Sequence, residues 1–542
     1  MIKYIMQYKG DHFRAPWRFA CCCTLGAALG VAGAQQAVPQ PQAPEAAASQ
    51  PAAAASAPAP AEARALTADT RLAAARLRED AALLRRAFEA LHPGLYRDNT
   101  PAEIDAAFAQ LNKTFARDRT LAEAYLAFTQ FTAQLRCGHT WPNFLNQPRS
   151  VREALFNAPR LPFEFKWIAD RTAPRMIVTR SDDARLKPGA EVLALNDVLS
   201  VTVLERLLRL ARADGGNDAA RLRLLERSDA DRHSAFDLYY ALLFPWSRWD
   251  APQAARISLV VRGPGGGAPM HLELDAAPPR PQPPMRDADA PLWDMQLDAD
   301  GIALMRMPTW SVYDSRWDWK AWLAQAFAQL AERGVRDLVV DLRGNEGGLA
   351  VGDELLRHVV SEPLPVAAPL RLVRYRSVPE ELRPVLDTWD AAFFDWGDAA
   401  QPYDERYFAL KAGDDAGAIT PAAPHFEGRL WVLVDAANRS ATFQFAQRVQ
   451  RNALGTLVGE PTGGNQRGIN GGAFFFLRLP NSRIEIDLPL IATFAPPGAP
   501  DAGIVPDVLA PLTVDDIAQG RDAAMEAVRQ RIRLARRPLA LR

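Results

Sequence analysis

Three stretches of this chain carry groups suited to acyl chemistry. In Leu338-Val339-Val340-Asp341-Leu342-Arg343-Gly344-Asn345-Glu346-Gly347-Gly348 an apolar, β-branched run breaks into a charged, glycine-rich turn. A buried strand ending in such a turn delivers backbone N–H groups to an anion at its carboxyl end. Oxyanion stabilisation is the chemistry that this offers. The second stretch, Asn438-Arg439-Ser440-Ala441-Thr442, lies between a strand pattern and a helix pattern. There a hydroxyl can project from a tight turn while the following N–H groups point the same way. Ser440 is then a nucleophile with Ala441 N–H as an oxyanion donor, or simply the helix N-cap that serine often supplies. The third stretch, Arg136-Cys137-Gly138-His139-Thr140-Trp141, closes a helical region. Cys137 could pass for a thiol nucleophile, but neighbouring side chains on an extended segment need not converge, and a small buried cysteine is its expected role.

The elements that must position these groups follow from periodicity. From Leu66 the pattern is helical through Leu72, Leu77, Leu83, Leu84, Phe88 and Leu91, and Pro93-Gly94 stops it. Asn99 and Thr100 are candidate caps for a second helix through Ile104, Phe108 and Leu111, and a third runs from Leu121 through Phe128 to Leu135. Between Leu161 and about Leu274 short strands, such as Met176–Val178 and Ile257–Val261, surround a helix near Val203 to Leu210. After a Pro-rich link from Ala277 to Pro284, apolar strands at 302–305, 338–341, 430–434 and 455–459 alternate with helices. Alternation of this kind argues for crossover units and an α/β domain. Trp319, Trp322, Leu323, Ala326, Phe327 and Leu330 share one face of the helix after the first of these strands, which reads as core packing.

The 542 residues exceed one compact core, so two or three domains are expected. A composition of 48% hydrophobic and 23% charged residues is that of an ordinary globular chain, and a net charge of -1 gives no electrostatic reason to expect nucleic acid or an anionic membrane as partner. Lys3, Lys9, Arg14 and Arg18 precede an apolar stretch from Phe19 to Ala34 that closes on Ala32-Gly33-Ala34. This reads as an export signal over residues 1–34 with cleavage after Ala34 and no stable membrane insertion afterwards, which addresses the chain to the periplasm or cell envelope. Cys21, Cys22 and Cys23 start the apolar stretch, a poor place for a lipid anchor. Removal of the signal leaves Cys137 alone of the four cysteines, so the mature chain forms no internal disulfide. Residues 35–62, almost wholly Ala, Pro, Gln and Ser, read as a disordered tether.

A resemblance joins these pieces. Asp341-Leu342-Arg343-Gly344-Asn345-Glu346-Gly347-Gly348, then Ser440-Ala441-Thr442, then Gly459-Glu460-Pro461-Thr462-Gly463-Gly464, then Gly503-Ile504-Val505-Pro506-Asp507 resemble, in order, the motifs of the tail-specific or C-terminal processing serine proteases, the family that includes the tricorn core. His92-Pro93-Gly94-Leu95-Tyr96 and Cys137-Gly138-His139-Thr140 extend the likeness over most of the chain. Pro188-Gly189 before a strand and Asn196-Asp197 after it are similar to one strand and its turns of a PDZ domain, either a peptide-binding module or a relic of one. The resemblance implies an α/β multi-domain chain: a helical unit over 63–150, a divergent PDZ-like module over 151–276 and a crotonase-like catalytic domain of β-β-α units over 285–542. It also implies peptide-bond hydrolysis of a polypeptide substrate without metal or organic cofactor.

Carried over residue by residue, the resemblance makes Ser440 the nucleophile, and Ala441 with the Gly347-Gly348 turn the oxyanion donors. Many members place a lysine base where this chain has Asn465, so a Ser-Lys pair is not expected. The tricorn-like branch uses histidine, and His139 matches that position. An imidazole can take the serine proton at neutral pH and return it to the leaving amine. Asp501 and Glu460 are the two candidates for the carboxylate that orients the imidazole. Asp341 and Arg343 are expected to brace the strand end by a charged hydrogen bond. The competing reading is a non-catalytic peptide- or ligand-binding protein on the same fold, favoured by Thr442-Phe443 where Ser-Glu is common and by the missing lysine. A plain esterase fits less well, because no G-x-S-x-G elbow surrounds Ser440. Substrate preference and oligomeric state are not encoded in these motifs.

Overall fold

The structure is a computed structural model that describes residues 65–169, 173–229, 234–244, 256–279, 287–313, 315–366, 370–411 and 417–536. The expected signal and the tether over 35–62 lie outside the described residues. Among those described, no helix is long and apolar enough to cross a membrane.

Local capping decides where the helices start. α1 (Ala74–Leu91), α2 (Pro101–Thr114) and α3 (Leu121–Gln134) form the helical unit. Thr100 and Thr120 each accept the N–H three residues on, and Glu103 and Glu123 reach back to the threonine N–H at 2.7 and 2.8 Å, so both helices begin with reciprocal capping boxes. The helix expected from Leu66 begins only at Ala74. Leu72 instead lies in a two-residue strand paired with Arg119–Thr120, and the carbonyls of Ala68 and Thr70 accept the N–H groups of Ala122 and Leu121. Backbone groups spent on that pairing are not available to a helix.

The middle region is an antiparallel sheet ordered β1 (Phe163–Ile168), β2 (Arg175–Ser181), β3 (Glu191–Leu195), β4 (Arg256–Arg262), β5 (Met270–Asp275). Asn196 and Asp197 turn out of β3 with φ of 46° and 63°, values these two residues tolerate better than most. Besides α4 (Ser200–Leu208), which the periodicity foresaw, the region holds α5 (Asp218–Leu224) and α6 (Ala235–Leu243), which it did not.

The next domain is built on a six-stranded sheet. Its order is Val508–Leu509, β10 (Thr456–Gly459), β9 (Arg429–Val434), β8 (Asp337–Asp341), β7 (Ile302–Arg306) and β6 (Asp294–Leu297), parallel throughout except for the edge strand β6. Parallel central strands are covered on both faces, and the burial shows it. Leu338, Val340, Leu430, Val432 and Val434 pack against α7 (Trp319–Glu332), α8 (Val351–Arg357) and α9 (Ser440–Arg451), where Trp293, Trp317, Trp319 and Trp322 also cluster edge to face. Val339, Trp431 and Leu433, one residue out of phase, pack against Met525, Val528 and Ile532 of α10 (Ala523–Arg536). A long antiparallel pair, β11 (Gly468–Arg478) and β12 (Glu485–Phe494), centres a second six-stranded sheet that shares a core with the helical unit and the middle region.

Buried polar clasps bind the helical unit to that second sheet. Asp80 of α1 accepts the N–H groups of Asn481 and Ser482 in the β11–β12 turn at 3.1 and 2.8 Å. Arg97 donates to the carbonyls of Ile469 and Thr493 at 3.1 and 2.8 Å. His92, fully buried after α1, accepts Gly94 N–H at Nδ1 (3.1 Å), which leaves Nε2 to donate to Thr140 Oγ1 (2.7 Å). Burial, helped by Arg97, lowers its pKa to about 3. The folded chain thus keeps His92 neutral between pH about 3 and 6.5, where the unfolded chain protonates it, so stability is lost as pH falls through that window. Between pH 7 and pH 5 this should cost about 2 kcal/mol. Guanidinium unfolding at the two pH values should show the loss, and His92→Gln should flatten it; an unchanged slope would contradict the assignment.

Candidate active site

The parallel strands β8, β9 and β10 release their loops at one end of the sheet, the carboxyl end, where open α/β sheets bind ligands. The turn after β8 is shaped by its own polar groups. Asp341 accepts Arg343 Nε at 2.9 Å and Nη2 at 2.7 Å, and Arg343 reaches on to Asp522 at 2.8 and 2.9 Å. That ion pair braces the strand end against the start of α10. Asn345, fully buried, donates to Met307 O at 2.7 Å and accepts Gly347 N–H at 2.9 Å.

The turn after β9 is laced to it. Asn438 donates through Nδ2 to the carbonyls of Leu342 (2.6 Å) and Asn345 (3.1 Å), while its Oδ1 accepts Asp435 N–H at 2.9 Å. Thr442 Oγ1 lies 3.0 Å from Asn345 O and 2.8 Å from Arg439 O, and both oxygens of Asp435 take Gly344 N–H at 3.1 Å. The first residue of α9, Ser440, sits at φ +53°, a left-handed conformation costly for serine. It does not cap the helix. Arg439 is the N-cap residue, and no side chain bonds the first N–H groups of α9. Ala441 N–H therefore remains one of the open donors of the helix start.

Gly347 lies against this helix start. A Cβ there would come within 2.8 Å of Arg439 O, 3.0 Å of Ala441 N and 3.0 Å of Ser440 Cβ, and φ is +98°. Gly348, at φ +148°, lies so close to Trp310 that a Cβ would fall 2.1 Å from its carbonyl oxygen. Of the two turn donors expected from the sequence, Gly347 N–H is spent on Asn345 Oδ1, and Gly348 N–H has no hydrogen-bond partner among the described residues. Ser440, Ala441 and the Gly347-Gly348 turn are thus brought together, with Gly348 and Ala441 holding the open donors.

His139 follows the left-handed Arg136 (φ 54°) that ends α3, in a segment bridged to β12 through Trp141 and Asp487. Its part-buried ring lies 6.0 Å from Phe474, and Nδ1 has no hydrogen-bond partner among the described residues. Burial lowers the imidazole below the usual histidine value; Asp214 and Glu346 pull it upward, and Arg439 and Arg212 push it down. Arg439 adjoins Ser440 and pairs with Glu346 at 3.1 Å, the neighbour of Gly347. His139 therefore shares one electrostatic neighbourhood with the serine turn and, held below the usual value, is neutral at pH 7.

Neither candidate carboxylate is hydrogen-bonded to His139 Nδ1. Asp501 Oδ1 accepts Gly216 N–H at 2.8 Å and Asn465 Nδ2 at 2.7 Å, and Oδ2 faces Arg467 at 3.2 Å. Glu460 accepts Leu512 N–H at 3.2 Å. Asn465, in the lysine's place, spends its amide between Asp501 and the Asp214 carbonyl (3.1 Å). Asp214, buried beside Gly138, escaped the sequence reading; its Ala213-Asp214-Gly215-Gly216-Asn217 context signals only a turn. Cys137 is buried, accepts Asn470 Nδ2 at 3.3 Å, and burial pushes its thiol up.

A strained serine at an open helix start, set against a glycine turn at the carboxyl end of a parallel sheet, presents the parts that a serine hydrolase needs. Residues 301–509 match the model of peptidase family S41, and the domain that carries the site belongs to that family of serine peptidases. No curated protein matches the chain by sequence. Among solved structures, mature CPAF complexed with lactacystin is similar over 85% of this chain and 98% of its own, at 15% identity and a TM-score of 0.55. Mature CPAF alone gives the same TM-score and identity over 85% and 97% of the two chains. A serine-to-alanine mutant of CPAF gives 0.54 at 15% identity over 82% and 94%. At that identity the likeness speaks for the fold.

Two substitutions test the turn geometry. Gly347→Ala should displace the Ser440 turn and slow hydrolysis by about 100-fold with the fold retained, since a misplacement near 1 Å costs that much. Asn438→Ala leaves Asp435 N–H without its acceptor and takes one of two donors from each of the Leu342 and Asn345 carbonyls, and should lower unfolding free energy by about 1–3 kcal/mol. Wild-type unfolding midpoints for Asn438→Ala, or wild-type rates for Gly347→Ala, would contradict the geometry.

Proposed function

We propose that the chain is an exported serine peptidase of the tricorn-like kind, acting in the periplasm or cell envelope, with Ser440 as nucleophile and His139 as general base. One observation carries the reading: Ser440 is held at φ +53° at an uncapped helix start, with Ala441 N–H beside it and Gly347 packed against both. Strain of this kind persists only where the surroundings enforce it, and it collects at functional sites.

The chemistry follows from the geometry. Ser440 Oγ attacks the peptide carbonyl carbon as its proton passes to the neutral His139 imidazole. Charge develops on the carbonyl oxygen, where the Gly348 and Ala441 N–H groups receive it; one such donor is worth roughly 100- to 1000-fold in rate. The imidazolium gives its proton to the departing amine and an acyl-enzyme remains. Water, deprotonated by His139, then cleaves the ester and Ser440 recovers its proton. Asn465 cannot act as base, because an amide does not accept a proton near neutral pH. Residues 151–276 would present the polypeptide, the role their PDZ-like turn spacing suggests.

Fluorophosphonate labelling of wild type, Ser440→Ala and His139→Ala tests this reading. Wild type should label, Ser440→Ala should not, and His139→Ala should label about 1000-fold more slowly or worse. Equal labelling of all three would sink both roles. No labelling of wild type would favour the binding protein on the same fold.

A further inference from the structure

The segment that carries His139 is gripped by a loop of the middle region. Gly138 N–H donates to Asp214 Oδ1 at 2.8 Å, Gly138 O accepts Arg212 Nε at 2.8 Å, and Gly215 N–H donates to Arg136 O at 2.9 Å. Both backbone groups of the residue before His139 are thus fixed by side chains from residues 212–214. The Asp214 carboxylate also lies flat against Gly138, where a Cβ would come within 3.0 Å of Oδ2. Only 4% of Asp214 is exposed, so its charge is little screened by water. Asp501 stands one residue further out, with Oδ1 taken up by Gly216 N–H and Asn465 and Oδ2 paired with Arg467.

We propose that Asp214 is the positioning carboxylate for His139, gripping its peptide through Gly138 and opposing the imidazolium charge, while Asp501 acts one step back by holding the turn that carries Asp214. The inference rests on His139 being the base. Four charged groups act electrostatically on the imidazole: Asp214 from the middle region, Glu346 from the turn after β8, Arg212 from the same loop as Asp214, and Arg439 from the turn before α9. Two positive and two negative charges balance around the ring. Without Asp214 the balance turns positive, and the imidazolium that must form when Ser440 gives up its proton loses a counter-charge. Neither carboxylate singled out by sequence has this place.

The rate of fluorophosphonate labelling as a function of pH tests the inference in the full chain. The acidic limb of that profile reports protonation of the base. Asp214→Asn keeps an oxygen for Gly138 N–H but loses the charge; it should slow labelling by about 100-fold or more and move the acidic limb to lower pH. Asp501→Asn should leave the limb near its wild-type position. If Asp214→Asn does not give a cooperative melt, Asp214→Glu serves instead: with its charge kept but displaced, it should slow labelling with the limb in place. An unmoved limb in a folded Asp214→Asn, a shift that appears in Asp501→Asn instead, or a wild-type rate in Asp214→Glu overturns the proposal. His139→Ala is the control for the reading beneath it. Wild-type labelling there removes the base itself, an outcome separate from any result at Asp214.

Discussion

The site depends on the side chain and carbonyl of Asn438. Its amide holds the carbonyls of Leu342 and Asn345 and the N–H of Asp435, and its own carbonyl accepts Gly463 and Gly464 N–H at 2.9 and 3.1 Å. Three loops, leaving three neighbouring parallel strands, meet on this one residue. Buried backbone groups in irregular loops have no ladder to join, so each needs a specific partner or costs free energy. With that need met, the loops have little freedom, and the left-handed Ser440 is held rather than relaxed. The glycines complete the constraint, since Gly347 and Gly348 occupy spaces with no room for a methyl group.

Around this rigid turn the chain assembles contributions from separate regions. The serine and open N–H groups come from the parallel-sheet domain, the imidazole from the end of the helical unit, and the clasp on that imidazole from a loop of the middle region. The same division holds for charge: Arg439 and Glu346 lie beside the serine turn, and Arg212 and Asp214 lie beside the histidine. Burial sets the direction of the shift on the His139 ring and these four charges adjust it, so a change in any one of them should retune the imidazole.

What the sequence made legible is what depends on local pattern. The buried strand through Leu338–Asp341, the Thr100 cap and the α/β alternation are periodicity and local chemistry, and they stand in the structure. The ordered motifs located the serine turn and its glycines. Tertiary use of single groups was not legible. Gly347 looks like a donor until Asn345 is seen to take its N–H, and Asp214 meets Gly138 across 76 residues of chain with nothing nearby to mark it. Strand β11 was missed for a physical reason as well. Its opening Gly468-Ile469-Asn470-Gly471-Gly472 reads as a loop, and the register slips between Gly471 and Phe474, so the period of two breaks where it would be recognised. Leu66 to Leu72 erred the other way, since an apolar spacing that suits a helix was claimed by pairing with Arg119–Thr120.

The order of the contributing segments along the chain has a consequence in time. Synthesis runs from the amino end, and parts of a chain fold as they emerge. His139 and the loop that clasps it are complete long before Ser440 is made, and β10, which flanks β9 in the sheet, comes later still. A chain that stops before residue 440 can therefore display the imidazole but not the hydroxyl turn. The serine turn closes only when β10 and the Gly463-Gly464 N–H groups that Asn438 O accepts have followed it, so it is completed against an imidazole segment already in place.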